Sequence, residues 1–177
     1  LNPLLGCAPE EKLVQTIAEK IKSYRGVLGF HDLVVHNYGP DQCFASVHVE
    51  VPNTDDIMES HDLIDNIERD FSTQLDIHMV IHLDPVVVDD ELTNELRHTV
   101  HEILKEIDPL LTMHDFRFVS GATHSSLIFD VVVPNSYKLS DDELRETIDR
   151  KVKELNPTYF TVITLDRNYV STTETAH

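Results

Sequence analysis

The 177-residue chain carries 32 acidic against 14 basic side chains, a formal net charge of -18, and 11 histidines. A surface this acidic repels phosphate backbones, so nucleic acid is excluded as a partner class, whereas cations are attracted. With 41% hydrophobic residues there is enough apolar side chain for a packed core, and imidazole is the commonest protein ligand for transition metals. Composition alone therefore points to a divalent cation. Cys7 and Cys43, the only cysteines, form neither a disulfide framework nor a CxxC knuckle. No stretch approaches the ~18 apolar residues of a membrane helix. The opening Leu1-Asn2-Pro3 has no signal-peptide pattern and no Met, as expected of a fragment or a processed chain.

Glu10 to Tyr24 reads as a helix, with Leu13, Ile17, Ile21 and Tyr24 at helical spacing, Pro9 near its start and Gly26 after its end. Val27 to Asn37 and Cys43 to Val51 read as strands joined by the hairpin loop Asn37 to Asp41. A second helix runs to about Phe71, capped by Asn53 or Thr54 and striped by Ile57, Ile64, Ile67 and Phe71. Ile77 to Leu83 is a third strand.

The same order then returns. Asp89 to Asp108 is helical, with Leu92, Leu96, Ile103 and Ile107 on one side. Leu111 to Val119 and Ser126 to Val133 are strands. Ser140 to Glu143 is a capping box opening a helix to Leu155, and Tyr159 to Leu165 is the last strand. Residues repeat with the elements: His31-Asp32-Leu33 with His114-Asp115-Phe116, Val49-Glu50-Val51-Pro52 with Val131-Val132-Val133-Pro134, and Ile81-His82-Leu83-Asp84 with Ile163-Thr164-Leu165-Asp166, at separations of 83, 82 and 82 positions. The expected fold is α+β, two tandem ferredoxin-like α-β-β-α-β units, each with two helices on one face of a three-stranded sheet of antiparallel type. The expected divisions are an N-terminal segment 1–8, a metal-binding dimerisation domain 9–87, a second repeat 88–170 and a loose polar tail 171–177.

Strand alternation selects the candidate site. Ala45, Val47, Val49 and Val51 belong on the helix-covered face, which turns His48 and Glu50 the other way. Ile77, Met79, Ile81 and Leu83 do the same for His82 and Asp84. His31 opens the first strand, and His61 sits at the edge of the apolar face of the second helix. His31, His48, His61, His82 and Asp84, drawn from several elements, form one candidate metal site of imidazole and carboxylate ligands. Any one of them alone reads better as a solvated or hydrogen-bonded side chain. That bland reading is kept for His36, His78, His98, His101 and His124. Zn²⁺ suits the ligand types, and Mn²⁺, Fe²⁺, Co²⁺ and Ni²⁺ are compatible, because affinity alone does not set selectivity. There is no GxGxxG, Walker loop, GxSxG or HExxH, and Cys43 lacks basic neighbours, so catalysis is not expected.

Four segments, residues 26–33, 46–51, 60–64 and 80–85, reading GVLGFHDL, SVHVEV, SHDLI and VIHLDP, resemble, in order, the C-terminal cytoplasmic domain of cation diffusion facilitators. The resemblance spans roughly Pro9 to Pro85. It implies a metallochaperone-like, dimerising domain on the cytoplasmic face of the membrane, following a six-helix transporter in the same polypeptide that exchanges Zn²⁺ or related ions for protons. It further implies that His31, His48 and Asp84 hold one ion and that His61 and His82 hold a second, with Asp84 able to bridge. The second unit departs from the pattern: Asp130 stands for His48, Thr164 for His82, and Asp142 or Glu143 for His61. A weak site of His114, Asp130 and Asp166 or a purely structural role is expected there. Rival readings are a small-molecule sensor built from ferredoxin-like repeats and a free-standing soluble metal-binding protein. A metal-dependent hydrolase is the remaining rival.

Overall fold

The computed structural model describes residues 11–39, 41–88, 90–135 and 137–168. The segments expected at 1–8 and 171–177, with Cys7 and Pro9, lie outside these residues. Two α-β-β-α-β units follow one another, and the boundary between compact units falls between Val86 and Val87.

The first unit runs α1 (Glu11–Ser23), β1 (Gly29–Asn37), β2 (Cys43–Pro52), α2 (Ile57–Leu75) and β3 (Ile77–Val86). The strand order is β1-β2-β3. β1 pairs antiparallel with β2 through a hairpin, but β2 and β3 are parallel. The sheet is thus mixed, which corrects the expected antiparallel type. Its cause is the 19-residue helix between β2 and β3: it carries the chain back so that β3 starts from the same end as β2. The core lies between helices and sheet, from Ile17 and Ile21 of α1, Ile64, Ile67 and Phe71 of α2, and Val47, Val49, Ile77 and Met79 of the sheet. Burying each such side chain contributes about 1.5–3 kcal/mol relative to exposure. All of them sit on the helix-covered face, opposite His48, Glu50, His82 and Asp84. Gly26, at φ 99°, makes the turn out of α1 that most other residues resist.

The α2 stripe begins one turn later than its leucine-like pattern suggests. Ile57 is 71% exposed, and Ser60 is the first buried residue. The N-cap is Asp56 rather than Asn53 or Thr54, its Oδ1 accepting from the backbone N–H of Met58 at 2.8 Å and of Glu59 at 3.3 Å.

The second unit repeats this plan with α3 (Glu91–Ile107), β4 (Thr112–Val119), β5 (Ser125–Pro134), α4 (Asp141–Leu155) and β6 (Tyr159–Asn168), in strand order β4-β5-β6. Again the first pair is antiparallel and the second parallel. The Ser140–Glu143 capping box forms as expected. Helix α3 settles with Thr93, Leu96, Val100, Ile103 and Leu104 inward, leaving Leu92 exposed; the sequence pattern had favoured the larger apolar side chain.

Asp56→Ala should lower unfolding free energy by about 1 kcal/mol, the usual value of an N-cap, while Asn53→Ala and Thr54→Ala should leave it within about 0.5 kcal/mol. Urea denaturation of the three variants checks this.

Candidate metal centre

A β-bulge sets the site. In β1, His31 faces His48 and Val34 faces Ser46, so two residues of β1 stand against one of β2. The extra residue is Asp32, at φ 51°, a left-handed conformation that Asp tolerates better than most residues. Phe30, Leu33 and Val35 pack with the core, so absorbing Asp32 keeps His31 on the open face without displacing its neighbours. From there the ladders build a row: His31 opposite His48, and His48 opposite His82. The next row places Glu50 between Gly29 and Asp84.

The row brings ligand atoms together. His31, His48 and Asp84 each offer a ligand atom, all lying within 4.8 Å of one another. His31 Nε2 is 3.0 Å from Asp84 Oδ2, and His48 Nδ1 is 3.2 Å from the same oxygen. The other nitrogen of His31, Nδ1, is 3.1 Å from Glu50 Oε2. The rings of His31 and His48 stack at 4.8 Å, and so do those of His48 and His82.

Glu50 is the residue that the sequence reading left out of the site. It is 0% exposed. A carboxylate on the far ring nitrogen of a histidine fixes the tautomer and the ring orientation, and makes the imidazole a better ligand. The signal was present: Glu50 shares the strand face of His48, two residues on. Alternation gives the face but not the strand order, and only the strand order shows that Glu50 lies beside His31.

Electrostatics follow from this packing. Burial alone would lower the pKa of His31, but its hydrogen bonds with Asp84 and Glu50, and their charges, raise it to about 9. Burial would raise Asp84, but its hydrogen bonds with His31 and His48 and the two imidazoles' charges hold its carboxyl below the usual range. In this form a proton on His31 takes the place of a positive ion among carboxylates.

Not every expected ligand joins. His82 stands exposed beside His48, outside the three-residue group. His61 is exposed on α2. Its charge is felt by Glu68, whose carboxyl burial and Asp65 push up while His78 and His61 pull it down. A single unit therefore gathers three of the five residues. In the second unit, His114, Asp130 and Asp166 are not gathered into such a group among the described residues.

Residues 9–86 match the family model described as the cation efflux protein, cytoplasmic domain. The match lies within the first unit and covers less than half of the chain. Over 75 residues the chain is 35% identical to the cation-efflux pump FieF of Yersinia enterocolitica, a stretch that is 42% of this chain and 25% of that protein. The chain thus covers about a quarter of the curated relative. The family match to the cation efflux cytoplasmic domain ends at residue 86, where the first unit ends. Among the described residues no helix is long and apolar enough to cross a membrane.

The His31 interactions give a signed pH dependence. In chelator they stabilise the first unit fully below about pH 6.5, the ordinary histidine value, and the stabilisation is lost as pH rises through about 9. Urea midpoints between pH 6 and 10, as the difference between wild type and Asp84→Asn, should shrink across that window; a constant difference would contradict the assignment.

Proposed function

We propose that the chain is the regulatory cytoplasmic portion of a divalent-cation efflux transporter, binding metal and pairing with a second copy rather than catalysing a reaction. The observation that carries this is the convergence of His31, His48 and Asp84 on the open sheet face of a cation efflux cytoplasmic domain. Two imidazoles and a carboxylate suit Zn²⁺, with Mn²⁺, Fe²⁺, Co²⁺ and Ni²⁺ as competitors. The donor set fits a dication in a second respect: with the His31 proton gone, Glu50 and Asp84 are carboxylates in need of positive charge.

His31, His48 and Asp84 would hold the first ion, with Glu50 orienting His31. His82, stacked on His48, and His61 would serve a second ion bridged through Asp84. Because a single unit leaves His61 apart, that second position calls for rearrangement or for a ligand from the second copy. The bound ion is a signal: metal that binds the paired arrangement better than the separate one shifts the population by that difference and no more. The membrane-spanning part would belong to the same polypeptide, with this domain on its cytoplasmic face.

Calorimetric titration of the metal-free chain with Zn²⁺, with mass read by light scattering, tests the reading. Saturable binding should vanish in the His48→Ala, His82→Ala double variant, and metal should raise the mass of the wild type towards that of a dimer. Equal binding in both proteins would refute it. Glu50→Gln, which keeps the shape and removes the charge, should weaken binding about 10–100-fold, the usual effect of losing a histidine-orienting carboxylate.

A further inference from the structure

The second unit keeps the frame of the site and changes what stands in it. Its bulge is at the corresponding place: His114 faces Asp130, Arg117 faces Ile128, and the extra residue Asp115 has φ 53°. Phe116 and Phe118 pack in the core, so His114 and Arg117 share the open face, as His31 and Val34 do in the first unit. Position 117 is thus the counterpart of Val34, and it carries an arginine. Its Nη1 donates to the carbonyl of Asp115 at 2.6 Å, which folds the side chain back towards the bulge. From there its charge acts on Asp130. Burial pushes the Asp130 carboxyl up, the charge of Arg117 opposes this, Asp115 adds to it, and His114 opposes it again. His114 is exposed where His31 is buried.

A guanidinium is permanently charged and presents five N–H donors in a fixed fork. Tethered beside two carboxylates, it supplies the positive charge that an ion would otherwise bring, and it repels a second cation. We propose that Arg117 is the resident cation of the second unit, taking the place of a divalent ion, so that this unit is set in one form without metal while only the first unit responds to metal.

The comparison with the first unit rests on the metal reading above, so the test is run where that unit is silent. The full chain carrying His31→Asn, His48→Ala and Asp84→Asn is the parent, and Arg117→Val and Arg117→Lys are added to it. Thermal midpoints are read in chelator and in Zn²⁺ or Mn²⁺, with hydrogen exchange of residues 112–134 to assign any shift to the second unit. The parent should show no metal-dependent shift. Arg117→Val should melt at least about 4 °C lower in chelator, the scale of a 1 kcal/mol loss in a domain of this size, and should recover on adding metal. Arg117→Lys, which keeps the charge, should stay near the parent and ignore metal. A metal-dependent rise in the parent that hydrogen exchange assigns to residues 112–134 would overturn the proposal, and so would an Arg117→Val chain as stable in chelator as the parent. If Arg117→Val does not fold, the metal response of the parent and of Arg117→Lys still decides. Absence of zinc binding by the wild-type chain would instead count against the first-unit reading alone.

Discussion

His31 is gripped at both ring nitrogens by carboxylates, Glu50 on Nδ1 and Asp84 on Nε2, in a place nearly closed to water. Burying charge is costly unless it is paired and hydrogen-bonded. Two carboxylates here demand one positive charge between them, and they raise the His31 pKa to about 9, which favours a proton on its ring at neutral pH. The same demand makes the position receptive to a cation. On the proposed reading, metal and proton would compete for one ring nitrogen, which would tie affinity to pH through His31 before any other group is considered. Everything else in the first unit serves this arrangement: the bulge at Asp32 turns His31 to the open face, the parallel β2–β3 ladder sets Asp84 beside Glu50 and His82 beside His48, and the core stays on the other side.

The two units show how one frame carries two solutions. Bulge, register and strand order are common to both. The changes on the open sheet face are Val132 for Glu50, Asp130 for His48, Thr164 for His82 and Arg117 for Val34. None of them touches the core, so a duplicated unit is free to change its surface chemistry while keeping its packing. On the proposed reading, one copy keeps an exchangeable cation and the other holds a fixed one.

Much of this was legible in the sequence, because period-two alternation is strong in β2 and β3. It placed His48, His82 and Asp84 on one face and the valines and isoleucines on the other. The repeat of His-Asp and of Val-Pro gave the two-unit plan. Less legible were features that depend on pairing. That β2 and β3 run parallel follows from the crossover. That Glu50 reaches His31 follows from strand order. The left-handed Asp32 and Asp115 are local conformations with no spacing signature. The misplaced stripe residues, Ile57 and Leu92, were chosen for hydrophobicity, whereas the helices bury the smaller Ser60 and Thr93 instead.

The central claim is that His31, His48 and Asp84 act as ligands to one ion while Glu50 holds the far side of His31. Long-range ¹H–¹⁵N correlation of the imidazole rings, with and without Zn²⁺ at neutral pH, tests it directly. Without metal His31 should be doubly protonated. With metal it should become a single tautomer, Nδ1 still protonated towards Glu50 and Nε2 shifted by the metal, with His48 shifting in step. A His31 that stays doubly protonated while exposed rings such as His36, His98 and His101 take up the zinc would contradict the account.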